Sequence, residues 1–180
     1  MKMADSQRIE APRETVWAAL NDAEVLKACI PGCEELTKHS DTDMEAKVKL
    51  KVGPVKATFG GKVTLEDLNP PESYRIVGEG SGGVAGFAKG GATVRLEEDG
   101  PDATILYYDV DAQIGGKLAQ LGSRLIDSTA KRLAGEFFKT FGETVAPSQP
   151  DEAAEDAAAG EKKGWLGGMF GKKDAKAESA

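Results

Sequence analysis

Histidine is almost absent from this chain: His39 is the only one among 180 residues. Cysteine is nearly as scarce, with Cys29 and Cys33 flanking Pro31-Gly32 in "ACIPGC". Two thiols and one imidazole are too few for a zinc site unless other ligands join them. The pair reads as thiols beside a turn, with a redox couple as the alternative. Positive charge is in the minority too. Lys and Arg number 23 against 30 Asp and Glu, a net charge of −7, which argues against general nucleic-acid binding. No run approaches the roughly 18 apolar residues that a membrane-spanning helix requires. The start, "MKMADSQRIEAPRE", has no apolar core of an export signal, so a reducing cytoplasmic compartment is expected.

What is present suits one globular domain and a tail: 40% hydrophobic and 29% charged residues. Two short helices come early. "APRETVWAAL" carries Pro12 and Glu14 at its first turn, and "DAEVLKACI" has Asp22 as an N-cap. After Pro31-Gly32 the pattern switches to period two. In "MEAKVKLKV", Ala46, Val48, Leu50 and Val52 share one face and Lys47, Lys49 and Lys51 the other. Gly53-Pro54 turns the chain, and further alternating runs follow through Phe59 and Val63, Tyr74 and Ile76, Val94, and Tyr108. Strands with one wet face make an antiparallel sheet whose dry face needs a cover. The cover is expected in "GKLAQLGSRLIDSTAKRLAGEFFKTFGETV". There Leu118, Leu121, Gly122, Leu125, Thr129, Leu133, Phe137 and Phe141 form one stripe of a long helix. The expectation is an α+β fold: a curved antiparallel sheet wrapped around a long C-terminal helix, with two short helices after the first strand.

Many inward positions of this sheet are small: Ala46, Ala57, Gly61, Gly78, Gly80, Ala92 and Ala112. Interiors pack near crystal density, so the missing volume means either close approach of the helix or an apolar pocket. The expected pocket is lined by Val48, Leu50, Phe59, Val63, Ile76, Val94 and Tyr108 on the sheet. Leu118, Leu121, Gly122 and Leu125 face them from the helix. Tyr74 and Tyr108 are the inward hydroxyl-bearing aromatics, with Tyr108 the choice for a single polar contact. With no inward carboxylate or histidine beside them, nucleophilic and acid–base templates do not apply, and a binder rather than an enzyme is expected. "GEGSGGVAGFAKGG" lacks the strand–loop–helix context and Gly-Lys-Ser/Thr of a phosphate cradle. It reads as a glycine-rich hairpin carrying Phe87 and Lys89 at its tip, a candidate gate or partner contact.

Four stretches together are specific: "LNDAEVLKACIPGCEEL", "VKLKVGPVKATFGGKVTL", "GGVAGFAKGGATVRL" and "GGKLAQLGSRLIDSTAKRLAGEFF". They resemble the carbon monoxide dehydrogenase CoxG family of the START/Bet v1-like (SRPBCC) helix-grip superfamily, over residues 1 to about 143. The resemblance implies a helix-grip domain over 1–145 that holds a lipophilic ligand. It also implies an accessory role beside a molybdenum-containing hydroxylase such as aerobic CO dehydrogenase, placing that enzyme at the cytoplasmic membrane.

The remaining residues follow a different pattern. Residues 146–161 are acidic and alanine-rich, an expected disordered linker with a reach on the order of 20–25 Å. In residues 162–180, Trp165, Leu166, Met169 and Phe170 fall within about 140° on a helical wheel, with Gly164, Gly167, Gly168 and Gly171 opposite. Lys162, Lys163, Lys172 and Lys173 bracket them, the pattern of a segment lying in the interface of an anionic membrane. A docking motif for a protein partner is the rival reading. An apolar pocket tethered to a bilayer beside an oxidoreductase suggests a respiratory quinone, menaquinone or ubiquinone, as ligand. A purely structural recruitment factor is the alternative.

Overall fold

A computed structural model describes residues 1–147. The expected linker from residue 148 onward and the expected membrane tail at 162–180 lie outside the described residues. Strand β1 (Lys2–Ile9) is followed by helices α1 (Arg13–Leu20) and α2 (Ala23–Cys29). Six strands come next: β2 (Cys33–Lys38), β3 (Asp43–Val52), β4 (Val55–Asn69), β5 (Ser73–Ser81), β6 (Phe87–Glu98) and β7 (Thr104–Gly115). A 3-10 turn (Gly116–Leu121) then leads into helix α3 (Ser123–Val145). The strands form one antiparallel sheet in the order β1-β7-β6-β5-β4-β3-β2. This is the expected curved sheet with a long C-terminal helix, and one compact unit spans Met1–Val145.

Local chemistry explains the boundaries. The Asp22 carboxylate accepts from the amides of Glu24 at 2.9 Å and Val25 at 3.3 Å, capping α2. Where α1 meets the sheet, the buried Thr104 hydroxyl donates to the Ala11 carbonyl at 2.8 Å. The main core sits at this end of the domain. Val16, Leu20, Cys29, Leu65, Leu96, Leu106 and Phe141 close around Tyr74, whose ring meets Trp17 edge-on at 5.3 Å.

Two expectations are corrected. The apolar stripe does not run as one helix from Leu118. Residues Gly116–Leu121 form the 3-10 turn, and Gly122 adopts a left-handed φ of 91° before α3 begins. Spacings of three residues, as from Leu118 to Leu121, suit either helix type, so periodicity does not separate them. Phe87 and Lys89 are likewise not at a hairpin tip. Phe87 opens β6, opposite Ser81 and Gly115, and Lys89 pairs with Glu79 within the sheet. The tip is Gly83–Ala85, where Val84 is 85% exposed.

Candidate functional site

Helix α3 covers the sheet loosely. Of its 23 residues only Phe141 is buried; the remaining inward stripe is half-buried. Between helix and sheet lies a cavity of about 350 Å³. Val63, Ile76, Val94 and Tyr108 line it from the sheet, together with Leu65, Ala92, Leu106 and Val110. Ala134, Phe137 and Phe138 close it from α3, and Leu20, Leu26, Ile30 and Leu36 from α1, α2 and β2.

The structure therefore brings together four of the residues expected to line a pocket and leaves the others out. Val48, Leu50 and Phe59 lie farther along the sheet toward the β3–β4 turn, and none touches the cavity. Leu118 and Leu121 belong to the 3-10 turn, Gly122 joins it to α3, and Leu125 lies in the first turn of α3, all at that same end. The helix side of the cavity is about three turns farther along. Contributions from α1, α2 and β2 escape sequence reasoning because they come from short elements with weak patterning. The inward phase of β1 escapes it as well. Asp5 lies opposite Tyr108 on the inner face, so an inward carboxylate does stand beside a tyrosine.

The cavity wall is apolar except for two phenols and the edge of Glu45, whose carboxylate turns away to His39 and Lys62. Tyr108 stacks on Phe138 with ring centroids 5.4 Å apart. Tyr74 is only 5% exposed. Neither hydroxyl has a hydrogen-bond partner among the described residues. The sole fully occluded side-chain polar atom without a partner there is Arg13 Nε. Tyr74 lines the cavity with its hydroxyl unpartnered. Burial pushes its pKa well above the usual phenol range. Tyr108 is also raised, by burial first and then by the negative charge of Asp5. Both phenols stay protonated at neutral pH and are available to donate.

Beyond the cavity, toward the β3–β4 turn, the inward register rows are mostly small: Met44–Val63–Gly78–Gly90–Ala112, then Ala46–Gly61–Gly80–Ala88–Ile114. A separate recess of about 500 Å³ opens on the outer face, rimmed by Glu35, Lys47, Lys62, Glu79 and Lys89. Its open, charged rim suits solvent better than a lipophile. Cys29 and Cys33 are both free thiols, and burial pushes each upward, which disfavours the reactive thiolate. Among the described residues no cluster of three or more His, Cys, Asp or Glu could hold a metal ion. None of their helices is long and apolar enough to cross a membrane.

The family model for the CoxG component of carbon monoxide dehydrogenase matches residues 6–146. No curated protein matches the sequence. Among solved structures, a conserved protein from Geobacillus kaustophilus is 28% identical with a TM-score of 0.76, covering 81% of this chain and 95% of its own. A START superfamily protein from Mycobacterium smegmatis is 15% identical with a TM-score of 0.61, covering 80% and 96%. The ZhuI aromatase/cyclase from Streptomyces sp. R1128 is 15% identical with a TM-score of 0.56, covering 89% and 98%. At such identities the last two show a shared helix-grip fold and nothing of chemistry.

Proposed function

This chain belongs to the carbon monoxide dehydrogenase CoxG family, and from that premise we propose that it is a non-catalytic accessory protein carrying a lipophile for a molybdenum hydroxylase. The ligand class is a respiratory quinone, and the partner is aerobic CO dehydrogenase or a related enzyme. The segment around Trp165 and Phe170, outside the described residues, holds the pair at the inner face of the cell membrane. The observation that carries the reading is the apolar cavity of about 350 Å³, whose wall includes Tyr74 and Tyr108, two phenols without a hydrogen-bond partner among the described residues.

The residues fit a quinone in two respects. The volume is at the small end of ligand pockets, about 300–1,000 Å³, which suits a ring head group. A ring carbonyl needs a donor, and two protonated phenols offer one in a wall that otherwise rejects water. A long apolar chain would need room beyond this cavity, toward the glycine- and alanine-rich rows of the inner face. Bound there, a quinone supplies two-electron acceptor chemistry. The chain's own residues bind the ring, orient it through a phenol and exclude water. The Asp5 carboxylate beside Tyr108 does not make this a catalytic pair: it is exposed, and its charge raises the phenol pKa rather than activating the oxygen.

The test is recovery of the ligand. Full-length protein, purified from cells containing quinones, is extracted with organic solvent and the extract analysed by mass spectrometry. Quinone recovered with wild type and depleted with a cavity-filling variant is the expected result. No lipophile from any preparation would leave a structural recruitment factor as the better account.

A further inference from the structure

The acidic chain hides a basic end. Residues 46–65, 80–96 and 112–126 contain no aspartate or glutamate. These are the segments around the β3–β4 turn, the β5–β6 tip and the β7–α3 connection, which meet at one end of the sheet. Three contacts join them. A Cβ on Gly53 would stand 2.7 Å from Leu125 Cδ2, so the β3–β4 turn touches the start of α3. A Cβ on Gly116 would stand 2.6 Å from Gly86 Cα, so the 3-10 turn seats on the β5–β6 tip. A Cβ on Gly82 would stand 2.7 Å from the Phe59 ring, binding that tip to β4. The result is one continuous rim rather than three separate loops.

Lys51, Lys56, Lys117 and Arg124 are exposed on this rim. Among the described residues none of the four makes an ion pair, and the three segments of the rim hold no carboxylate of their own. Val84 stands at the apex, 85% exposed, the most exposed large apolar side chain of the described domain. The small-residue rows of the inner face lie toward the same end.

We propose that this rim is a lipid-contacting surface of the folded domain, in which Lys51, Lys56, Lys117 and Arg124 meet anionic head groups and Val84 enters the interface between them. Basic side chains around a protruding apolar tip complement a surface that is negative outside and apolar within. An acidic protein partner would satisfy the charges but gives Val84 no reason to project from the fold. The placement turns the small-residue end of the inner face toward the source of a membrane-borne lipophile. It deepens the recruitment reading but stands on different residues from the tail, so the two can fail separately.

The experiment uses the full chain and vesicles containing phosphatidylglycerol, with neutral phosphatidylcholine vesicles as reference. Lys51→Glu/Lys56→Glu should weaken binding to the anionic vesicles about tenfold or more, and Val84→Asp should weaken it severalfold, both with unchanged melting temperature. Hydrogen exchange on saturating vesicles should slow at residues 82–86 and 51–56 but not at the opposite β6–β7 turn, residues 99–103. That protection should persist in Trp165→Ser/Phe170→Ser, whose overall affinity falls. Wild-type binding by the rim variants, with no protection at 82–86, overturns the proposal while leaving the tail reading intact. Protection by the hydroxylase in place of vesicles overturns it in favour of a protein contact. No vesicle binding by wild type overturns both.

Discussion

The Tyr108 ring lies against the Phe138 ring at 5.4 Å with planes inclined by only 23°, so a strand and the C-terminal helix meet through one stacked pair at the cavity wall. Phe138 then meets Phe137 edge-on at 5.0 Å, and Phe137 stacks on the fully buried Phe141 at 5.6 Å. A chain of four aromatic rings thus fixes this part of α3 over the sheet. Beyond it, toward Ser123, the helix face is only half-buried. The cavity lies against this aromatic packing, with Tyr108, Phe137 and Phe138 in its wall.

Tyr108→Phe isolates the hydroxyl. The stack survives and no hydrogen bond within the described protein is lost, so the melting temperature should move by no more than about 2 °C, the equivalent of roughly 0.5 kcal/mol. Affinity for a short-chain quinone should fall by about two- to tenfold, the worth of one neutral hydrogen bond. Isothermal titration with the ligand-free protein reads the second number and thermal unfolding the first. An unchanged affinity would move the donor role to Tyr74.

Tyr74 has a distinct signature in alkali. Its phenol is raised from the usual 10.0 by burial. The folded state therefore holds the proton more tightly than the unfolded chain. That contribution is fully present below pH 10 and is lost as pH rises from there toward the folded value. Denaturant unfolding followed between pH 8 and pH 11 should show stability declining above pH 10. Tyr74→Phe should flatten that decline, and should not lower stability at neutral pH, because the hydroxyl has no partner to lose.

The β-face pattern is legible because the side-chain period is two wherever one face is dry. Alternation alone assigns Val63, Ile76, Val94 and Tyr108 inward, and each lines the cavity. Along the helix, periodicity fixes the face but not the start. Leu118, Leu121 and Leu125 keep helical spacing across Gly122, whose φ of 91° breaks the helix without changing the apolar pattern. Strand β2 is illegible for a different reason. It is an edge strand with a register shift between Cys33 and Glu35, and its alternation is broken. Asp5 escapes notice because β1 is a polar edge strand whose phase only its pairing with β7 reveals. The basic rim is invisible in the net charge, since it exists only once three distant segments meet.

Cavity filling has a better target in Ala134 than in Gly122. With a φ of 91° and nothing within 4 Å of a Cβ placed there, Gly122 lies in open space at the hinge before α3. Gly122→Leu should strain the backbone by about 1–2 kcal/mol, lowering the melting temperature by roughly 2–8 °C, and leave ligand content unchanged. Ala134 faces the cavity from α3. Ala134→Leu would extend into existing space, so ligand-free protein should keep its stability or gain a little. The bound quinone should fall to a small fraction of wild type. In a filled core the same insertion would cost about 1–3 kcal/mol through forced rotamers. Melting temperature of ligand-free protein, set against quinone recovered by extraction, separates the cases. Ala134→Leu that destabilises the domain while Gly122→Leu depletes quinone would place the ligand at the wrong end of the helix, and the cavity beneath Phe138 would be a packing gap.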